Sequence, residues 1–173
     1  LYLFVVREDR SIFPFEVRFR LVQDGVRDLG NVIVLDTSRY IVSSATFPTY
    51  FLKKNDPVAC IQMELDVTLF SSKIAPFFGI SQRFVGTEPN CKLTDGYNDT
   101  MKRILPVYGI EFIEIERMQT SSEVISASRV RELIAHNEFS RLEEYVPDST
   151  LAYLKSDDAD PIRKQLQHDI RRQ

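Results

Sequence analysis

Ile125-Ser126-Ala127-Ser128-Arg129-Val130-Arg131 decides how this chain is read. Just before it, Ile110-Glu111-Phe112-Ile113-Glu114-Ile115 has the β-branched and apolar content of a strand. Just after it, Val130, Leu133 and Ile134 recur at helical spacing. Two hydroxyls and two guanidiniums therefore gather where a strand gives way to a helix. Backbone N–H groups lack intrahelical acceptors there, and the helix dipole presents its positive end. Ser126 suits the N-cap, its neighbours could donate to phosphate oxygens, and Arg131, about one turn in, could reach back as a bidentate clamp. The pattern predicts a polyphosphate or another anion at this helix start. It equally fits an ordinary capping serine, with the arginines solvated or paired with Glu123 and Glu132, and spacing alone leaves both open.

Working outward, Leu1-Tyr2-Leu3-Phe4-Val5-Val6 has the near-continuous apolar character of a buried parallel strand. Pro14 stands near a helix start. Val17, Leu21, Val22 and Val26 give the next segment an apolar stripe, and Gly30 is placed to stop it. Val32, Ile33, Val34 and Leu35 form a second buried strand. Strand, helix, strand is the opening of an α/β domain with a parallel sheet. Residues 37–48 interleave Ser and Thr with aromatic and β-branched residues, and Pro48 disfavours a regular element across them. They suit a cleft lining or a packed loop equally well. Tyr50-Phe51-Leu52-Lys53 reads as a short helix.

A long helix is expected over 58–77, with Val58, Ile61, Leu65 and Leu69 on one face and Pro76 and Gly79 closing it. Met63, Phe70 and Ile74 widen its apolar arc, as for burial or a partner surface. Arg83-Phe84-Val85-Gly86 is a short strand running into Thr87-Glu88-Pro89, where Gly86 permits a close turn. Residues 97–105 are helical. Past Asn137 the chain is mostly helical, with Pro161 at a first turn and Ile162, Leu166 and Ile170 spaced to dock one narrow stripe. The expected division is a catalytic domain over 1–155 and a helical extension over 156–173.

A chain of 173 residues fits one domain by length. With 43% hydrophobic and 27% charged residues, its composition is that of an ordinary globular protein. A net charge of −3 gives no reason to expect non-specific nucleic-acid binding. Cys60 and Cys91 form neither a CxxC unit nor a disulfide framework, and with only His136 and His168 beside them no zinc cluster is expected. No apolar run reaches membrane-spanning length, so the expected compartment is the cytoplasm. There is no GxxxxGK loop, no GxGxxG turn and no GxSxG elbow, which argues against P-loop, dinucleotide and serine-hydrolase chemistry. If polyphosphate is the ligand, catalysis is mostly positioning and charge stabilisation. Arg131, Arg129, Lys53 and Arg83 are the candidate charge donors, and magnesium would need few protein ligands.

Several blocks occur in order. They are Phe4-Val5-Val6-Arg7-Glu8-Asp9, Ser44-Ala45-Thr46-Phe47-Pro48-Thr49-Tyr50-Phe51-Leu52-Lys53, Arg83-Phe84-Val85-Gly86-Thr87-Glu88-Pro89, Tyr97-Asn98, Met101, Ile104-Leu105-Pro106 and the 125–131 motif. Together they resemble the nucleotidyltransferase-like domain of citrate lyase ligase. The last block is also similar to the Ile-Ser-Ser-Thr-x-x-Arg signature of the adenylyltransferase superfamily, with Ala127 for a serine and Ser128 for the threonine.

The resemblance implies a Rossmann-like parallel sheet with helices on both faces and C-terminal helices. It implies that ATP and acetate give acetyl-adenylate and pyrophosphate. The acetyl group then passes to the thiol of the phosphoribosyl-dephospho-CoA group on the citrate lyase acyl carrier protein. By the same resemblance Ser126, Ser128, Arg129 and Arg131 hold the ATP phosphates with Mg2+, and Gly86, Thr87 and Glu88 lie near the nucleotide. Arg131 and Lys53 carry catalysis, and residues 44–53 form the acetate or thiol side of the pocket. The superfamily's His-x-Gly-His motif has no match here. The resemblance places it, with an acetyltransferase-like domain, upstream of residues 1–6. The chain accordingly reads as the later portion of a catalytic domain, weakly active or inactive alone. Two other readings stay open: an adenylyltransferase acting on a pantetheine or nicotinamide phosphate, and a nucleotide-binding or interaction domain without catalysis.

Overall fold

Strands β1 (Tyr2–Val5) and β2 (Ile33–Asp36) pair with each other, the N–H of Ile33 donating to the carbonyl of Leu1 at 2.9 Å. Strands β3 (Gln82–Gly86) and β4 (Glu111–Ile115) pair in parallel, with Gln82 opposite Glu111 and Gly86 opposite Ile115. The computed structural model describes residues 1–7, 11–48, 57–88, 91–120 and 123–170. The α/β class expected from the alternating pattern is what these residues form. In place of one continuous sheet, the described strands stand in two sheets of two strands each.

Helices connect and cover them: α1 (Phe15–Gly25), α2 (Pro57–Leu69), α3 (Ala75–Phe78), α4 (Lys92–Ile104), α5 (Ala127–Ala135), α6 (Phe139–Leu142), α7 (Asp148–Lys155) and α8 (Asp160–Ile170). The described residues divide into two compact units. One comprises those within 1–5, 9–35 and 118–173. Its core is Leu133, Ile134, Leu142, Leu151, Leu154, Ile162 and Leu166, with Val17, Ile125 and Val130 packed at its edge. The stripe expected on the last helix docks through Ile162 and Leu166, which are 6% and 4% exposed. Arg163 adds a polar tie, donating to the carbonyls of Leu154 and Ser156 at 2.5 and 2.7 Å.

The other unit comprises the described residues within 6–8 and 36–117, with Phe47, Met63, Val67, Phe70, Met101 and Leu105 among its buried side chains. Here two expectations are corrected. On α2, Val58, Ile61 and Leu65 are 51%, 67% and 54% exposed, whereas Ala59, Met63, Asp66 and Val67 face inward. The opposite arc wins because the carboxylate of Asp66 finds three donors in the interior, described below. The helix also does not run unbroken over 58–77. A π-helical turn at Phe70–Ile74 separates α2 from α3, and Pro76 lies in the first turn of α3. Proline has no N–H for the carbonyl four residues back, and a widened turn accommodates that loss. Gly79, at φ 65°, ends α3 as the sequence indicated. In the first unit α1 stops at Gly25, earlier than Gly30. Val26 leaves helical geometry at φ −119°, ψ 13°, and the Leu29 N–H closes a turn onto the Val26 carbonyl at 3.0 Å.

Candidate functional site

Ser126 is extended (φ −138°, ψ 150°), and its Oγ accepts from the Arg129 N–H at 3.2 Å, the geometry of a helix N-cap. Its carbonyl accepts the first intrahelical bond from Val130 at 3.0 Å. The N–H groups of Ala127 and Ser128 have no acceptor among the described residues, as the first turn of any helix requires unless a ligand supplies one. Arg131 donates through Nη2 to the Ser128 hydroxyl at 3.2 Å and has no carboxylate partner among the described residues. A hydroxyl, a guanidinium and two N–H groups thus share one exposed helix start. This combination can take an anion.

The two arginines of the motif part company. Arg129 donates through Nε to Glu123 at 2.9 Å and through Nη1 to Glu132 at 2.8 Å, an arrangement the sequence left open. Those hydrogen bonds, to Glu132 above all, raise the guanidinium's pKa. Glu123 is a hub that sequence reading did not single out as functional. Its Oε1 also accepts from the Tyr145 hydroxyl at 2.5 Å and lies 3.8 Å from Arg141. The bond from Tyr145, then that from Arg129, hold its carboxyl below the ordinary value. Main-chain bonds from Thr120 to Glu123 (2.9 Å) and from Ile125 to Met118 (3.0 Å) tie the approach to Ser126. Arg129 is thereby committed to fixing the approach to the helix, which leaves Arg131 as the guanidinium at its mouth.

Gly86, Thr87 and Glu88 belong to the other unit. Their turn is fastened at both ends. The Thr87 N–H donates to the Ile115 carbonyl at 2.9 Å, and Arg117 donates through Nε to the Thr87 carbonyl at 2.6 Å and through Nη2 to Glu88. Asn98, 5% exposed, donates to the Gly86 carbonyl at 3.0 Å and to Glu114 at 3.3 Å. Lys53 and the helix expected around Tyr50 lie outside the described residues.

A third group of residues was not legible as a cluster. Asp66, fully buried on α2, accepts at Oδ1 from the Val42 N–H (2.7 Å) and the Thr46 hydroxyl (2.6 Å), and at Oδ2 from the Tyr97 hydroxyl (2.6 Å). Tyr97 in turn accepts from Arg83 Nη2 at 3.5 Å. Burial first, and Asp66 after it, push the phenol far above its ordinary pKa, with Arg83 opposing them. The only hint in sequence was an acid set directly between Leu65 and Val67. Residues 41–47 are accordingly a packed segment: Ile41, Val42, Ser43, Thr46 and Phe47 are all buried.

Among the described residues no three His, Cys, Asp or Glu side chains could hold a metal ion, and no helix is long and apolar enough to cross a membrane.

In this α/β chain a capping serine, a second hydroxyl and an arginine with no acid partner among the described residues thus gather at the start of α5. The citrate lyase ligase C-terminal domain profile matches residues 1–154, and the chain belongs to that family. It is 43% identical over 161 residues to citrate pro-3S-lyase ligase of Escherichia coli strain K12, covering 90% of this chain and 46% of that protein. It is 41% identical over 158 residues to the enzyme of that name from Klebsiella pneumoniae, covering 89% of this chain and 46% of that one. Against the Haemophilus influenzae enzyme it is 43% identical over 160 residues, 90% of this chain and 48% of the other. The chain therefore spans about half the length of these relatives. No solved structure matches it.

Proposed function

We propose that this chain is the nucleotide-handling part of an enzyme that activates acetate with ATP and acetylates the citrate lyase acyl carrier protein. Ser126, Ser128, Arg131 and the first-turn N–H groups of α5 grip the phosphates; bound Mg2+ would supply charge neutralisation there with few protein ligands. An acetate oxygen attacks the α-phosphorus, the bond to the β-phosphate breaks, and pyrophosphate leaves. The carrier's phosphoribosyl-dephospho-CoA thiolate then attacks the acyl carbon, and AMP departs. On this reading α5 supplies charge stabilisation to the leaving pyrophosphate, an electrostatic contribution that needs no proton transfer by the protein. The family resemblance adds Gly86, Thr87 and Glu88 as nucleotide-side residues and Lys53 as a further charge. Arg129 acts at one remove, holding the cap through Glu123. The fold is of the Rossmann-like class, and the enzyme works in the cytoplasm.

What carries the reading is Arg131 beside the open first turn of α5, in a chain of this family. The full-length protein should release pyrophosphate from ATP only when acetate is present, and should then acetylate the thiol form of citrate lyase. Pyrophosphate release that requires pantetheine phosphate or nicotinamide mononucleotide would replace this reading with the adenylyltransferase one. No turnover with any of them, despite ATP binding, would leave a non-catalytic domain. Arg131→Ala should weaken ATP binding by at least about 1 kcal/mol, roughly fivefold, the scale of one charge-assisted hydrogen bond. Unchanged affinity in calorimetry would remove the clamp.

A further inference from the structure

Arg83 leaves β3 into the interior of its unit. Its Cζ stands 4.2 Å over the ring of Phe70 and 5.9 Å from that of Tyr97, and its Nη2 reaches the Tyr97 hydroxyl. Its Nη1 is shut off from solvent and has no hydrogen-bond partner among the described residues. A guanidinium nitrogen removed from water and left unmatched carries an uncompensated desolvation cost, and such atoms are rare enough to need a cause.

The nearby acid does not supply the partner. Both oxygens of Asp66 are already occupied by Val42, Thr46 and Tyr97, and its charge reaches Arg83 only through the Tyr97 hydroxyl. The backbone around this centre is held in uncommon shapes. Val42, which gives its N–H to Asp66, sits at φ 47°, where a β-branched residue is strained, and the π-helical turn begins at Phe70. Strain of this kind persists where the surroundings enforce it, and it collects at sites that bind or react.

We propose that Arg83 is the anchor for the carboxylate of the acid substrate, with Nη1 as the donor that meets one of its oxygens. This rests on the acetate-activating reading and deepens it. The chemistry around the atom favours a small monoanion. Phe70 and Tyr97 present ring surface to the guanidinium, which suits a short apolar acyl group. Asp66 and Tyr97 have no second cationic partner among the described residues, and the Asp66 charge repels a multiply charged phosphate. The Thr46 and Val42 contacts bring residues 41–47 onto the same centre.

The test is acetate-dependent ATP–pyrophosphate exchange by the full-length protein, wild type against Arg83→Lys and Arg83→Gln. The glutamine variant should raise the KM for acetate at least tenfold and leave the KM for ATP within twofold. The lysine variant, keeping the charge but losing the planar fork, should fall between. An acetate KM within twofold of wild type in variants that unfold at the wild-type temperature would overturn the assignment and leave the activation reading standing. Wild-type protein with no acetate-dependent exchange would overturn the activation reading itself.

Should neither variant fold, calorimetric titration of the wild type decides. Acetate binding that inorganic phosphate does not displace supports a carboxylate site. Displacement by phosphate at equal concentration, or no acetate binding with or without ATP, overturns it.

Discussion

Glu123 shows how one carboxylate can govern a helix start it never touches. It gathers Tyr145 and Arg129, and stands close to Arg141, just before Ser126 caps α5. Because its folded pKa lies below the unfolded value, the stabilisation it supplies is complete above the unfolded pKa, roughly 4.3, and is lost as pH falls through the folded one. Glu123→Gln should therefore lower the thermal unfolding temperature of the full-length protein at pH 7, and the gap from wild type should close below about pH 4. A gap that stays constant to pH 3 would show that the charge is not what Glu123 contributes. By spacing, Glu123 and Glu132 are partners open to either arginine of the motif. The structure shows Glu123 taking Arg129 and leaving Arg131, because the N3 position of Arg129 lies beside Glu123 and Glu132, whereas Arg131 turns to Ser128.

At the scale of elements, the clearest local signal was the end of α3. Gly79 adopts φ 65°, and a Cβ placed there would meet nothing within 4 Å. Gly79→Ala should cost about 1–2 kcal/mol through backbone strain alone, read as a shift in the urea midpoint with an unchanged slope. A neutral substitution would mean the αL cap carries no weight. The face of α2 was the least legible feature. Val58, Ile61 and Leu65 follow helical spacing as well as any core stripe does, yet they are exposed. Periodicity reports where apolar residues lie around a helix, but not which arc has partners waiting. Asp66 could turn inward only because Val42, Thr46 and Tyr97, far apart in sequence, converge on it.

At the scale of the molecule, residues 156–173 were expected as an extension to a catalytic domain ending at 155. Within their unit, Ile162 and Leu166 of that extension share a core with Leu133, Ile134 and Leu154. Leu166→Ala should destabilise that unit by about 2–5 kcal/mol, the usual range for a buried leucine, measured by denaturant unfolding of the full-length protein. A cost under 1 kcal/mol would mark α8 as a loosely docked appendage. The loss should also reach ATP affinity, since α5, the helix proposed to hold the phosphates, carries Leu133 and Ile134 in the same core.

The sequence alone determined the α/β class, the strand and helix order and the capped start of α5, because each follows from residues near one another along the chain: an apolar run, a hydroxyl before a helical stripe, a glycine after one. Only the tertiary structure decided which arginine is committed to an ion pair, which arc of α2 is buried, and that Asp66, Tyr97 and Arg83 form one centre. Those outcomes depend on desolvation and on which hydrogen-bond partners meet in space. Val42, Thr46 and Tyr97 lie 20 to 31 positions from Asp66. Arg129, only three and six from its acids, competes for them with Arg131 in a way that spacing does not encode.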